Sequence, residues 1–371
     1  TGTINVYDFI IMRDSMPKLT ALNLKDVRIK RVYNYTVGGV EYWTDYAEDD
    51  VLPFNSFTGK RTLTSFVFPD VLNRIDVGAF AGAGLKGSLN IPEGVVEIGP
   101  GAFIDNDFTG ILTLPSTLKK IGSGAFRECC FICPLNLPDG IEEIGSVCFE
   151  NCRYLYGNLT LPSHLKKLGS AAFAKCSGLK GDLVIPKSLT VIPSDAFNAC
   201  GLGGRLQLHD GITTIGNGAF GHNGFKGELD LPKSLTELGG NNFWGNYFSG
   251  SLKIPKGLTN ISEEAFSNCT FEGEVEIPEG ITYIHKRAFI ASENLQKVIL
   301  PSSLEFIDEY AFWYCKSLRV IECKSTVPPV VNSTAFDKVP LEDLTVIVPK
   351  SALNDYKSSA FWSGLLLKTV E

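Results

Sequence analysis

One spacing dominates this chain: a phenylalanine, most often preceded by alanine, returns every 23 or 24 residues. A proline lies 11 residues before ten of these phenylalanines, and His209 fills the same position before Phe220. Such a period is typical of a solenoid, in which each repeat is one supersecondary unit that stacks on the next. The phenylalanines are Phe80, Phe103, Phe126, Phe149, Phe173, Phe197, Phe220, Phe243, Phe266, Phe289, Phe312 and Phe336.

The residues inside one repeat indicate how its chain runs. Leu229 and Leu231 alternate with polar residues, which predicts a strand with one buried face, and the proline that follows cannot donate to a ladder and ends the strand. A second apolar pair, Leu235 and Leu238, is expected to turn the chain back across the core, and Gly239 is expected to permit a tight turn. The repeat phenylalanine then fills the interior.

These patterns predict an α/β repeat protein. The expected fold is a right-handed leucine-rich-repeat solenoid of 23-residue units, with a parallel sheet on one face and short strands, turns and 3-10 segments on the other. We expect three regions: residues 1–58 as an N-terminal capping unit with an irregular repeat and a surface loop, 59–322 as regular repeats, and 323–371 as the last irregular repeat and a C-terminal cap. A single repeat cannot bury its own apolar face, so neighbours must share a core.

Composition and charge exclude some partners. The formal charge of −7 and the lack of a basic run argue against nucleic acid, because phosphate binding needs concentrated Lys and Arg. No apolar stretch is long enough to span a bilayer, and the first residues lack the charged and apolar regions of an export signal. No nucleophile, phosphate-loop or dinucleotide motif occurs, so we expect neither an enzyme nor a cofactor.

Most of the cysteines follow the repeat. Six stand three residues after a repeat phenylalanine, where other repeats carry Asn, Ala or Ser, and we expect reduced thiols that bond the backbone at a tight turn. A zinc site or a disulfide among Cys130, Cys133, Cys148 and Cys152 is an alternative, although the repeat already accounts for Cys133 and Cys148. The six are Cys129, Cys152, Cys176, Cys200, Cys269 and Cys315.

The motif Leu-Pro-x-x-Leu-x-x-Ile-Gly-x-x-Ala-Phe-x-x-Cys closely resembles the BspA-like (Treponema pallidum-type) leucine-rich repeats. The resemblance covers about Leu63 to Glu371 and implies a surface or secreted bacterial protein of the Bacteroides group, concerned with adhesion or interaction. It carries over no catalytic site or metal. It implies an export signal outside this sequence, with a lipoprotein-type anchor as one option.

The two ends depart from the repeat in ways that also resemble this family. Gly2 to Asn5 predicts a strand, Phe9 to Arg13 an amphipathic helix, and Met16 to Leu24 an ordinary rung. Tyr33 to Asp50 is predicted to be a long surface loop. Near the other end we expect a strand at Val346 to Val348, a short helix and a last strand at 365–370.

Outward positions of the predicted sheet are the first candidate binding surface. If Leu229 and Leu231 point inward, the residues beside them form two outward columns, and repeat proteins commonly bind along such a face. The distinctive charged patch has Glu228, Asp230, Glu274 and Glu276 around Lys253. A solvated charged face is the alternative. The columns are Asn158, Asp182, Arg205, Glu228, Ser251, Glu274 and Lys297, and Thr160, Val184, Gln207, Asp230, Lys253, Glu276 and Ile299.

An aromatic edge is the second candidate. Trp244, Tyr247, Trp313 and Tyr314, with Phe248, follow the repeat phenylalanine at positions where other repeats carry small or polar residues. Exposed aromatics can anchor a protein or stack on a sugar. We therefore expect a monomeric adhesion scaffold for a host or bacterial surface or extracellular protein, and alternatively a glycan-binding surface protein.

Overall fold

The computed structural model describes residues 2–32, 34–37, 40–43 and 49–369, with backbone only for 34–37 and 40–43. The chain divides into two compact units, Thr1–Lys180 and Gly181–Glu371. In each unit the chain is a parallel leucine-rich-repeat solenoid whose turns are about 23 residues long. Most turns carry a front strand before the repeat proline and a short back strand before the repeat phenylalanine, and the turn before Pro138 has a single bridge, Pro134 to Tyr156, in place of the front strand.

In the first unit the back strands pair into one six-stranded parallel sheet, with isoleucine or leucine of each strand paired to its counterpart one repeat away. The front strands pair in shorter parallel sets. The back strands are Val51–Leu52, Arg74–Ile75, Glu97–Ile98, Lys120–Ile121, Glu143–Ile144 and Lys167–Leu168. The front strands are Ala21–Asn23, Ser65–Val67, Lys86–Asn90, Asp107–Thr113, Gly157–Asn158 and Leu179–Lys180.

The second unit repeats this arrangement, again with parallel pairing throughout the strands described for it. Its longest front set has five strands and closes the C-terminal end. The front strands are Leu183–Val184, Leu206–Gln207, Lys226–Gly227, Tyr247–Gly250, Thr270–Phe271, Gly273–Glu276, Leu295–Leu300, Val320–Cys323, Thr345–Val348 and Leu366–Thr369. The back strands are Val191–Ile192, Thr214–Ile215, Glu237–Leu238, Asn260–Ile261, Tyr283–Ile284, Phe306–Ile307 and Val330–Val331.

The repeat phenylalanines form a stack of buried rings in each unit. Phe80 and Phe103 lie 5.4 Å apart between ring centroids, and Phe289 and Phe312 lie 5.3 Å apart, with nearly parallel planes in both pairs. The stack begins at Phe57, which packs 5.4 Å from Phe80 and which the repeat count had not included. Each ring is covered by its neighbours, so the phenylalanine core depends on stacking between repeats.

In most repeats the side chain three residues after the phenylalanine hydrogen-bonds the backbone, and these bonds form a ladder; Ala83 and Val339 are exceptions. Cys152 donates its thiol to the carbonyl of Phe126, 26 residues earlier, at 3.0 Å. In other repeats Asn246 donates its amide to Phe220 O and Phe243 O and also accepts from the Phe225 N–H, each at about 3.0 Å. The prediction that these cysteines bond the backbone at a turn is confirmed.

Two positions per repeat have a left-handed backbone, two residues before and two residues after the phenylalanine. The first is glycine in several repeats but Val147 (φ 50°) in one, and a β-branched residue is strained there. The glycine after the back strand has another cause: a Cβ on Gly99 would lie 2.6 Å from Val77 N of the preceding repeat. Glycine is therefore required at this position, because adjacent repeats stack too closely there to leave room for a side chain.

The back of the repeat is built from short strands and successive tight turns such as Ala81 N–H to Gly78 O. Within the described residues the 3-10 segments occur only near the C-terminal end, at Leu341–Asp343, Lys350–Ala352 and Trp362–Gly364. There the predicted closing elements are present as helix α2, Leu353–Ser358, and the last strand, Leu366–Thr369. Val370, the end of that predicted strand, lies outside the described residues.

The N-terminal part has the predicted strand Gly2–Ile4, helix α1 over Val6–Asp14, and the rung at Ala21–Asn23. Helix α1 begins with a capping box between Asn5 and Asp8 and buries Val6 and Phe9. Lys60 replaces the ladder Asn or Cys after Phe57, and its Nζ donates to Arg13 O at 2.9 Å. This ammonium satisfies carbonyls at the C-terminal end of the helix.

The predicted surface loop Tyr33 to Asp50 is wrong as a plain loop, although Tyr33 and residues 38–39 and 44–48 lie outside the described residues. Asn34–Val37 and Val40–Trp43 form an antiparallel pair, while Val27–Ile29 pairs in parallel with Gly2–Ile4. Asp50 is buried and forms an ion pair with Arg28. The end of the segment is therefore fixed to the solenoid, because a buried carboxylate needs a cationic partner.

Candidate binding surface

The outward columns of the front strands lie where the alternation places them. Glu228, Asp230, Lys253, Glu274 and Glu276 are all exposed, and the intervening apolar residues are buried or half-buried. Two members of the columns differ from expectation. Lys297 is half-buried between two carboxylates, at 3.1 Å from Glu274 and 2.9 Å from Glu322.

Ile299 is the second exception, since it was expected to face solvent and only 8% of it is exposed. It pairs with Glu276 on one side and Glu322 on the other. Lys324 reaches past this rung to bind Glu276 at 2.6 Å, and the alkyl stems of lysines can cover apolar surface. Ile299 therefore lies at an outward position of its strand, but long charged side chains cover it.

A groove runs along the carboxyl ends of the front strands in the second unit. One depression of about 700 Å³ extends from Leu208 to Lys256, and a second of about 480 Å³ extends from Ser251 to Glu279. Lys253, Ile254 and Lys256 line both depressions. Of the predicted charged patch, Asp230, Lys253, Glu274 and Glu276 line this groove, and Glu228 is outside its lining.

The floor of the groove is apolar. Leu208 and Leu231 are only half-buried, whereas Ile277 and Leu300 at the same repeat position are fully covered. His209, in place of the proline, donates its Nε2–H to the carbonyls of Pro186 and Leu189, at 3.1 and 3.0 Å. Apolar side chains therefore reach solvent beneath a charged rim.

The charges on the rim are not arranged as predicted. Within the described residues, Lys253 forms no ion pair with any of the four carboxylates expected around it. Glu274 and Glu276 are instead bound by Lys297 and Lys324, and these contacts raise the pKa of both lysines. Hydrogen bonding to Glu322 is the largest cause for Lys297 and hydrogen bonding to Glu276 for Lys324.

Lys233 and Lys256 join Lys253 on the rim, and the column prediction did not include them. They follow Pro232 and Pro255 directly, so they lie at equivalent positions in adjacent repeats. The side chains of all three lysines are exposed and lack ion pairs in the part of the chain that the structure describes. The signal available in the sequence was the lysine that follows proline in consecutive repeats.

The aromatic candidates form two separate clusters. Trp244 packs edge-on against His222 with 4.1 Å between ring centroids, and Tyr247, 62% exposed, begins the next front strand. Trp313 and Tyr314 stack on each other at 4.9 Å, three repeats further along. A binding role for either cluster stays a prediction.

Phe248 and Lys316 determine how much of the aromatic clusters is accessible. Phe248 is fully buried and belongs to the core, so its inclusion in an aromatic edge was wrong. Lys316 Nζ lies 3.9 Å from the Tyr314 ring centroid and covers part of that cluster. Trp244 and Tyr247 remain the more accessible pair.

The thiols are placed for structure. All ten cysteines are free, nine are buried, and burial raises the pKa of Cys315 to about 12. A raised pKa keeps a thiol protonated and poor as a nucleophile or metal ligand. Among the described residues no group of three or more His, Cys, Asp or Glu side chains could hold a metal ion.

Helices of the described chain are short, and none has both the length and the apolar character needed to cross a bilayer. This agrees with the hydropathy of the sequence, which has no apolar stretch of that length.

Comparisons with known proteins give one family and several similar structures. A crystal structure of a leucine-rich repeat protein from Bacteroides ovatus is 21% identical, with a TM-score of 0.47 over 95% of this chain and 92% of that chain. A leucine rich cell surface protein from Faecalibacterium prausnitzii is 18% identical, with a TM-score of 0.41 over 82% and 87%. No curated protein matches the chain.

The family match covers most of the sequence. The BspA type leucine rich repeat region matches residues 51–180, 156–271 and 237–368 in six copies. These ranges contain the phenylalanine stack, the Asn and Cys ladder and the groove, which are the features that the repeat produces. The chain therefore belongs to the BspA-type leucine-rich repeat family.

Proposed function

We propose that this protein is a non-catalytic scaffold that binds a protein partner through the groove of its second unit. The observation that carries the proposal is the groove itself, with an apolar floor at Leu208, Leu231 and Ile254 beneath an exposed charged rim. An apolar centre surrounded by a polar rim is the usual anatomy of a protein–protein interface.

The rim carries carboxylates at Asp210, Asp230 and Glu279, and it also offers lysines, without ion pairs in the described chain, to acidic side chains of a partner. Lys233, Lys253 and Lys256 extend into solvent, while Glu274 and Glu276 already have lysine partners. A carboxylate of the partner that approaches Lys253 would therefore meet a cation that need not leave another ion pair. Complementary charges of this kind set orientation and association rate more than total affinity.

We place this function at the cell surface or outside the cell. Membership of the BspA-type family supports that location, and a similar structure is described as a leucine rich cell surface protein of Faecalibacterium prausnitzii. Protease treatment of intact cells tests it: the protein should be cleaved before cells lyse. Protection until lysis would contradict the placement.

The binding proposal is tested by charge reversal in the groove. Purified extracellular and surface proteins are screened for binding to the full chain by interferometry, and each hit is measured with Lys253→Glu and with Lys357→Glu. Lys357 is exposed on helix α2, away from the groove, and gives a matched change in net charge. We expect Lys253→Glu to weaken binding about tenfold or more and Lys357→Glu to leave it unchanged. Equal affinities for the two variants would refute the groove.

A further inference from the structure

The first unit carries a second surface, which differs from the groove in having no charge. On the front side of four successive repeats, the outward residues are amides, hydroxyls and apolar side chains, except for the exposed pair Lys86 and Asp107 at one edge. In a chain with 20% charged residues this is an unusual run, and its neighbours along the unit are again charged. The residues of this uncharged face are Ser88, Asn90, Ile111, Thr113, Ile132, Pro134, Asn136, Tyr156, Asn158 and Thr160, with Tyr154 at its margin.

The strand register places the apolar members side by side. The Ile132 N–H donates to Gly110 O at 3.1 Å, which sets Ile132 next to Ile111, and these side chains are 56% and 58% exposed. Pro134 forms a parallel bridge with Tyr156 in the next repeat. An exposed apolar patch of this kind marks a binding surface more often than chance exposure of single residues does.

The polar members form a regular row of free hydrogen-bonding groups. Asn90 pairs in register with Thr113, and Asn136 and Thr160 occupy the same position in the next two repeats. These four side chains are exposed, and none has a hydrogen-bond partner within the described residues. The row therefore offers carboxamide and hydroxyl groups at the strand spacing of ~4.8 Å.

We infer that this uncharged face binds a neutral glycan. Hydroxyl groups of sugars match carboxamide and hydroxyl side chains as hydrogen-bond partners, and the C–H faces of sugar rings match isoleucine and tyrosine. The strand spacing is close to the length that one pyranose adds to an extended glycan, so successive sugars could meet equivalent side chains. The residues of the face include no cation, and Lys86 at its edge is paired in register with Asp107, so sulfated or uronic acid polymers, which need cations, are disfavoured.

The inference is independent of the groove and of the aromatic edge. The test is native gel electrophoresis of the full chain through gels that contain mannan, a soluble β-glucan or galactan, with polygalacturonate and chondroitin sulfate as acidic polymers. Retardation is expected with at least one neutral polymer and with neither acidic polymer. Lys253→Glu and Trp244→Ala should be retarded like the parent chain.

Two variants locate the site. Asn136→Asp adds one charge to the uncharged face with little change of shape, and Gln207→Glu makes the matched change at an exposed outward position of the second unit. Asn136→Asp and Tyr156→Ala should each weaken binding about fivefold or more, and Gln207→Glu should have no effect. Both altered side chains are exposed, and circular dichroism checks that the variants fold.

Three results would overturn the inference. They are no retardation by any neutral polymer, equal retardation of Asn136→Asp and Gln207→Glu, or loss of retardation in Trp244→Ala with Tyr156→Ala unaffected. The last result would move the glycan to the aromatic edge. Binding of a purified protein that Asn136→Asp disrupts, without neutral glycan binding, would make the face a protein interface instead.

Discussion

The ladder position after each phenylalanine gives the sharpest prediction about stability, because Asn and Cys make different numbers of bonds there. Asn246 is 1% exposed and bonds three backbone groups at about 3.0 Å, the carbonyls of Phe220 and Phe243 and the N–H of Phe225, with a longer contact of 3.5 Å to Trp244 O. Cys269, one repeat later, makes two long contacts, each 3.8 Å, to Phe243 O and Ser267 O. Removing the asparagine therefore exposes more unmet bonding capacity than removing the cysteine.

The magnitudes follow from the cost of a buried polar group without a partner, roughly 1–3 kcal/mol. Three such groups and partial relaxation give a loss of about 3–5 kcal/mol in the free energy of unfolding for Asn246→Ala. Asn246→Cys retains one weak donor and should lose roughly 2 kcal/mol. Cys269→Ala loses weak bonds and a small volume, so about 1 kcal/mol is expected.

The assay is urea denaturation followed by far-UV circular dichroism, under reducing conditions and with m-values compared between variants. Hydrogen exchange at the Phe225 amide is the local control, because its N–H loses its acceptor only when Asn246 is changed. Equal losses for Asn246→Ala and Cys269→Ala, or a loss below about 1 kcal/mol for the first, would refute the reasoning.

Three further predictions concern single substitutions, and a fourth concerns all ten cysteines. Val147→Asn should stabilise the chain by about 1 kcal/mol in thermal unfolding, because Asn tolerates the left-handed backbone. Gly124→Val, at the same repeat position, should destabilise it. A destabilising Val147→Asn with a stabilising Gly124→Val would show that this position is not strained. Lys60→Met should cost about 2 kcal/mol in urea, since the carbonyls ending helix α1 lose a charged donor; no loss would exclude this cap. Burial raises the pKa of Asp76. The charged carboxylate therefore lowers the free energy of unfolding above the unfolded pKa of ~3.9 and has no such effect below it. Asp76→Asn should raise the urea midpoint at pH 7 and leave it unchanged at pH 3. Thiol titration with Ellman's reagent should modify at most Cys130 in the native chain and all ten cysteines in denaturant; rapid native reaction of several thiols would contradict their burial.

The repeat made much of the fold predictable. The repeat length, the direction of the strands and the cysteine positions all follow from one spacing. The sequence alone therefore predicted the phenylalanine stack and the ladder. The count missed Phe57 because Ser56 precedes it and Lys60 follows it, although its 23-residue distance to Phe80 was visible. A variant repeat of this kind can be recognised from its 23-residue interval only if the residue types beside the phenylalanine are allowed to differ.

The site was less predictable, since side-chain pairing depends on reach. The outward columns showed which residues share a face, but Lys324 passes one rung to bind Glu276, and Lys253 is left without an ion pair in the described chain. Leu208 and Leu231 are half-buried, and their exposure depends on how the adjacent loops cover them. The 23-residue repeat does not determine the positions of those loops. The uncharged face was visible only when outward residues of successive repeats were compared.

The central claim is that a protein partner occupies the groove around Lys253, and site-specific cross-linking tests it most directly. A photo-cross-linking amino acid is placed at position 253 and, in a second protein, at position 357, and each is irradiated with a binding protein identified in the screen. We expect a covalent complex from position 253 and none from position 357. A partner that binds normally yet cross-links from position 357 and not from position 253 would contradict the claim.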